Sequence, residues 1–176
     1  MNILIKGLVS VFILIFVASL TYADKVEIPI HKTSATGEGV QIGHVTAEDT
    51  PYGLLLTPSV EELTPGPHGF HIHQNPDCRA IGKGGKMVPG LAAGGHYDPA
   101  GTGKHLGPYQ EGHLGDLPIL WVDSEGNANT PVLAPRVKVS DLMGRSLMIH
   151  ANGDNYSDIP KKLGGGGARA ACGVVP

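Results

Sequence analysis

Between Pro67 and His73 the chain reads Pro-His-Gly-Phe-His-Ile-His, and its last four residues alternate between apolar and imidazole side chains. With the two-residue period of a β-strand, Phe70 and Ile72 share one face and His71 and His73 the other. One face can enter an apolar core while the opposite face presents two nitrogen donors side by side. A lone histidine is usually a surface or hydrogen-bonded core residue, and two on one strand face can arise by chance. The later segments change that balance. His96, His105, His113 and Asp116 fall in one stretch, and His150 closes a later strand. Six of the nine histidines and one carboxylate are thereby available, enough ligands for two metal sites.

The chain opens with Lys6 as a short positive flank, a nearly unbroken apolar run over residues 7–20, and the small residue Ala23 before Asp24. This pattern predicts a secretory signal peptide over residues 1–23, with Ala18 as a weaker cleavage point. The run is short for a bilayer span and no basic stop-transfer flank follows. After removal of the leader no membrane association is expected. Residues 24–176 then form one domain in length. Loss of Lys6 leaves 12 Lys and Arg against 16 Asp and Glu, a net charge of −4. No basic stripe is visible, which argues against a nucleic-acid partner. The two cysteines, Cys78 and Cys172, both lie in the exported part. Export favours a disulfide between them over two free buried thiols.

Short alternating segments at residues 25–31, 39–45, 53–58, 67–73, 119–123, 131–139, 145–150 and 168–175 read as strands. Pro29 suggests that the first is an edge strand or carries a bulge. Residues 74–118 show no sustained period. A loop of that length in a compact domain is usually functional or disordered, and this one carries Cys78, three histidines and Asp116. A second loop covers residues 151–167 and ends in four glycines. About eight strands without a helical period predict an all-β fold, a barrel or sandwich with two long functional loops. His31 and His44 stand singly among strands and read as structural or surface residues, and His68 as a structural residue that bonds loop backbone.

Three nitrogens and one carboxylate, from His96, His105, His113 and Asp116, suit tetrahedral zinc. His71, His73 and His150 project from strands. Three imidazoles can hold zinc, copper or iron, and a fourth favours the tetragonal geometry of oxidised copper. Two four-ligand sites drawn from seven residues require one shared ligand, and an imidazole with both nitrogens free can bridge two cations. The residues alone do not say which histidine bridges.

The segments His68–His73, Gly95-His96-Tyr97-Asp98-Pro99, Gly112-His113-Leu114-Gly115-Asp116-Leu117-Pro118 and Gly167-Ala168-Arg169-Ala170-Ala171-Cys172-Gly173 together resemble the copper–zinc superoxide dismutase family, in order and through nearly the whole exported chain. The resemblance implies an eight-stranded Greek-key β-barrel, the fold shared by this sandwich-type family. It implies one copper ion and one zinc ion per chain. Copper would be held by His71, His73, His96 and His150, and zinc by His96, His105, His113 and Asp116, with His96 as the bridge. Asp154 would be the carboxylate linking copper and zinc histidines, Arg169 the active-site arginine, and Cys78–Cys172 the disulfide. The implied reaction is dismutation of superoxide to dioxygen and hydrogen peroxide, by alternate reduction and oxidation of the copper ion. His96 and Arg169 would be the catalytic residues. The long 78–96 stretch and the loop after His150 look like the bacterial exported branch, which implies a periplasmic destination. That branch leaves dimer geometry open, so a homodimer is allowed rather than implied. A metal carrier without turnover and an adhesive β-sandwich are the competing classes.

Overall fold

A computed structural model describes residues 24–176; the expected signal peptide, residues 1–23, lies outside the described residues. The strands in chain order are β1 (Lys25–Ser34), β2 (Gly37–Thr50), β3 (Gly53–Val60), β4 (Gly66–His68), β5 (Phe70–His73), β6 (Ile81–Lys83), β7 (Lys86–Val88), β8 (Leu120–Val122), β9 (Val132–Ala134), β10 (Ser146–His150) and β11 (Arg169–Val174), with one helical turn, α1 (Val139–Leu142), between β9 and β10. Seven form one antiparallel sheet in the order β5-β10-β11-β1-β2-β3-β9. β4 runs almost directly into β5 but pairs with β8, so this bent strand joins the large sheet to a second, two-stranded one. Counting β4 and β5 as one strand and setting aside the β6–β7 hairpin leaves eight strands around one core, the curled antiparallel barrel that was expected.

The alternation that marked the strands is the alternation that fills the barrel. Ile28 and Ile30 of β1, Val45 and Ala47 of β2, Leu54 and Leu56 of β3, Phe70 and Ile72 of β5, and Leu147 and Ile149 of β10 are all fully buried in one cluster. Each large side chain among them stabilises the fold by about 1.5–3 kcal/mol relative to exposure. β5 and β10 are unusual in being buried on both faces. Their second faces carry His71, His73, Met148 and His150, and they are covered by the two long loops. Met148 packs with Ala93 and the Cys78–Cys172 bridge in a smaller cluster.

The structure refines four local features. Of the two readings of Pro29 the bulge holds: β1 lies between β11 and β2, and its ladder shifts directly after Ile30. Pro29 lies opposite His44 in the β1–β2 ladder, while the β1–β11 pairs begin only at His31 and Lys32, beyond the proline. The strand expected over residues 131–139 contracts to β9, bracketed by Pro131 and Pro135, neither of which can donate to a ladder. Asp141 then accepts from the Lys138 N–H at 2.9 Å and Asp49 from the Val139 N–H at 2.8 Å, capping the start of α1 at the end of the expected strand. The long loop is not free of strands either: Gly84 and Gly85, both at positive φ, close the β6–β7 hairpin.

Candidate metal centre

The β5–β10 ladder sets Met148 opposite His71 and Ser146 opposite His73, which fixes the two imidazoles of β5 against the strand that ends in His150. His96 reaches the same face from the long loop, through an isolated bridge to His73. The ligand atoms of His71, His73, His96 and His150 all lie within 4.8 Å of one another, and all four residues are buried. A second group, His71, His96, His105 and Asp116, meets the same criterion. His96 and His71 belong to both. His113 stands outside the second group but beside it, with Nδ1 3.3 Å from Asp116 Oδ1. His31 and His44 belong to neither group. His68 lies between the carbonyls of Thr64 and His150, consistent with the structural role expected of it.

Each ring has one nitrogen held by the protein and the other turned inward. His71 Nε2 donates to Asp154 Oδ2 at 2.7 Å, while its Nδ1 is buried without a partner. His73 Nδ1 donates to the Gly94 carbonyl at 3.0 Å and His150 Nδ1 to the Gly167 carbonyl at 3.2 Å. That leaves their Nε2 atoms facing each other at 3.4 Å. His105 Nε2 donates to Asp154 Oδ1 at 2.8 Å; its Nδ1 lies 3.0 Å from Asp116 Oδ2 without hydrogen-bond alignment. His96 is the exception that joins the groups. Its Nδ1 lies 2.9 Å from Asp116 Oδ1 and its buried Nε2 has no protein partner. Three buried, unpartnered ring nitrogens would each cost free energy in a protein that offered them nothing. A metal ion on either side of His96 removes that cost, and the donor set of imidazoles with one carboxylate fits copper and zinc. Outer hydrogen bonds of this kind fix tautomer and ring orientation in metal sites.

Electrostatics agree with this arrangement. Burial, then the neighbouring His96, lowers the pKa of His71 to about 3, and burial with His96 lowers His150 to about 4. Both rings are therefore neutral, ready to ligate, at any ordinary pH. Burial also opposes charge on His105, but the flanking Asp116 and Asp154 outweigh it and raise that pKa to about 9. In the metal-free protein His105 is a cation between two anions, and a metal ion at Nδ1 replaces a proton there. Burial disfavours the carboxylates as well, yet their histidine partners hold Asp116 and Asp154 well below the usual carboxylate range.

Arg169 opens β11, and its guanidinium donates to the carbonyls of Gly90 and Gly94, next to the loop that carries His96. Its charge is close enough to lower the pKa of both His73 and His150. Three contributors were not singled out from sequence. Asp158 accepts from the His105 N–H at 3.0 Å. Gly164, at φ 67°, lies against Asp154 and His105 so closely that a Cβ would strike both Asp154 Oδ1 and His105 Nε2. The four-glycine run thus gives the Asp154 bridge its room, a role the run's composition could have suggested but no motif announced. The third, Arg136, donates to the Gly112 and His113 carbonyls.

Fold and site together define a metalloprotein, a β-barrel whose buried histidines form two adjoining groups that can hold metal ions. A family model described as copper/zinc superoxide dismutase matches residues 40–175. A superoxide dismutase [Cu-Zn] from Brucella melitensis is 46% identical over 173 residues, covering 98% of this chain and 99% of its own. The structure of the Brucella abortus Cu/Zn superoxide dismutase superposes with a TM-score of 0.85 at 49% identity, covering 87% of this chain and all of that one. A copper, zinc superoxide dismutase from Salmonella enterica, described as monomeric, gives 0.79 at 49% identity with the same coverage. The chain belongs to the copper/zinc superoxide dismutase family.

Proposed function

We propose that this chain dismutes superoxide, with one copper ion held by His71, His73, His96 and His150 and one zinc ion held by His96, His105, His113 and Asp116. Two superoxide anions and two protons give one dioxygen and one hydrogen peroxide. The observation that carries the reading is His96, whose two nitrogens face the two ligand groups while no neutral hydrogen-bond partner occupies either. His71 is near both groups, but its Nε2 is committed to Asp154, so only its Nδ1 is left for a metal. When bound, copper supplies the one-electron redox couple and zinc the Lewis acidity that keeps the shared imidazole deprotonated.

The remaining work belongs to the chain. Asp154 grips one histidine of each group and keeps both inward nitrogens aimed. His96 Nε2 is the atom at which a proton can be taken up and passed to the departing peroxide. Arg169 offers a fixed positive charge to a small anion beside His73 and His150. Metal analysis and superoxide turnover on one purified sample test the whole reading. One copper, one zinc and fast turnover are expected; bound metal with no turnover would identify a carrier instead.

The leader over residues 1–23 directs the chain out of the cytosol and into the periplasm, and residues 24–176 are the enzyme. The Cys78–Cys172 disulfide supports an oxidising destination. No helix among the described residues is long and apolar enough to cross a membrane.

Substrate and exported chain are both negative, so the average field opposes encounter. Arg169 and the exposed Lys83, Lys86, Lys161 and Lys162 of the two loops are the local positive charges that counter it. Electrostatic steering is long recognised for superoxide dismutases; the residues named are what this chain adds. The second-order rate constant should fall as salt rises, since the Debye length shrinks to about 8 Å at physiological ionic strength. Arg169→Ala should lower it several-fold without loss of copper, and Lys83→Ala should lower it less and chiefly at low salt. A wild-type rate that rises with salt would refute attraction by these residues.

A further inference from the structure

The second metal group hangs on a loop with almost no ladder. His105, His113 and Asp116 lie between Lys104 and Leu117, and the strands on either side of them are β7 and β8. Most of the bonds that hold this stretch are made within it or to another loop. The His113 N–H donates to the Lys104 carbonyl at 2.9 Å, the Leu106 N–H to Asp116 Oδ2 at 3.3 Å and the His105 N–H to Asp158 at 3.0 Å. Loops bonded to loops are the least stable parts of a fold. His113 is also the weakest member of the site by position. It is the most exposed of the six histidines, at 8%, and the one that stands outside the converged second group.

The downstream end of this segment is bonded to β5, where the Ile72 N–H donates to the Gly115 carbonyl at 2.8 Å and the Leu117 N–H to the Phe70 carbonyl at 3.2 Å, whereas the Gly112–His113 backbone is met from the barrel side by Arg136. Arg136 follows β9 and is fixed on its far side by the buried Val137 and by the Asp49–Val139 bond. Its Nη2 donates to the Gly112 carbonyl at 3.1 Å and its Nη1 to the His113 carbonyl at 3.4 Å. Among the described residues no carboxylate pairs with this guanidinium. The planar fork matches two successive carbonyls, a geometry that a single ammonium cannot reproduce. Hydrogen bonds from a charged donor are also stronger than the neutral ones elsewhere in the loop.

We propose that Arg136 is a positioning residue for the zinc site: it holds the Gly112–His113 backbone so that the His113 ring stays beside Asp116, coupling the β9 edge of the barrel to the zinc loop. The inference rests on the reading of His113 as a zinc ligand. It predicts a selective effect, because the copper-side histidines of β5 and β10 are held by ladders that Arg136 does not touch.

The test compares wild type, Arg136→Gln, Arg136→Lys, His113→Ala and the double variant Arg136→Gln/His113→Ala. Zinc affinity is measured by competition with a chromophoric chelator, and cobalt(II) is bound in place of zinc so that its visible absorption reports ligand geometry. Arg136→Gln is expected to weaken zinc about tenfold, the scale of an outer-sphere contact at a metal site. It should also alter the cobalt spectrum, with copper affinity unchanged. Arg136→Lys should recover part of the loss. In the His113→Ala background the change at Arg136 should cost nothing further. If His113→Ala weakens zinc while both Arg136 variants bind zinc and cobalt as wild type does, the positioning role is wrong. Equal losses from Arg136→Gln with and without His113 would also overturn it, showing general loosening of the fold. Unchanged zinc affinity in His113→Ala would instead remove His113 from the zinc site, a failure of the ligand assignment itself. Should Arg136→Gln not fold, the charge-conserving Arg136→Lys decides: wild-type zinc affinity and cobalt spectrum there overturn the proposal.

Discussion

His96→Ala protein should show no superoxide turnover above background and should bind both metals poorly. Removing the ring leaves His71, His73 and His150 on one side and His105, His113 and Asp116 on the other, so each metal loses one of four protein donors. It also removes the ring whose Nδ1 lies beside Asp116 and whose buried Nε2 has no protein partner. The fold itself should survive, because His96 enters the strand network only through one isolated bridge and lies on the loop side of β5. Asp116 would then be left with His105 and His113 as its imidazole neighbours. The check is turnover together with copper and zinc content, with circular dichroism to confirm the barrel. Normal turnover with one copper and one zinc per chain would mean that another residue bridges.

The second large effect is expected from the disulfide. Cys78 and Cys172 are bonded across 94 residues with their Cα atoms 5.8 Å apart, and both are buried against Ala93 and Met148. Closing a loop of that length stabilises the folded chain by about 4–5 kcal/mol on the chain-entropy account. The consequence is also local. Arg169 lies three residues before Cys172 and bonds the carbonyls of Gly90 and Gly94 on the loop that Cys78 anchors. Releasing the bridge frees both ends of that contact at once, along with the approach to His96. Cys78→Ser/Cys172→Ser protein should therefore lose stability in denaturant titration and lose turnover together. A thiol count on unreduced, denatured wild type should find none free.

The parts of this molecule that were readable in sequence are those governed by short-range pattern. Phe70-His71-Ile72-His73 shows its two faces because a strand alternates every residue, and in the structure the same alternation buries Ile28, Ile30, Leu54, Leu56, Leu147 and Ile149. Where proline and glycine interrupt the pattern, the reading overran. Residues 131–139 looked like one strand, yet Pro131 and Pro135 confine pairing to three residues. The Gly84–Gly85 turn pairs a hairpin too short to show a period.

The site divides in the same way. Metal chemistry made the histidines and Asp116 candidates and divided them into a loop set and a strand set, but the choice of His96 as the bridge came from resemblance, since no spacing rule says which imidazole two ions share. Arg136 and Asp158 were not legible at all, and Gly164 only as part of a glycine run. Each acts through a contact between loops that are remote in sequence, on a backbone atom or on empty space, and neither leaves a mark in the local pattern. Asp154 was found only by its match to the family; a carboxylate four residues after His150 could equally have closed a turn, and in the structure it also accepts from the Tyr156 N–H at 2.7 Å.

The claim on which everything else rests is that one imidazole, His96, touches both metal ions. The direct measurement is electron paramagnetic resonance of protein carrying copper(II) in the copper site and cobalt(II) in place of zinc. A shared imidazole lets the two unpaired-electron centres couple, so the copper signal should be largely quenched, and should return at full strength when zinc replaces cobalt. A copper signal of full strength beside bound cobalt would contradict the shared ligand and, with it, the assignment of both sites.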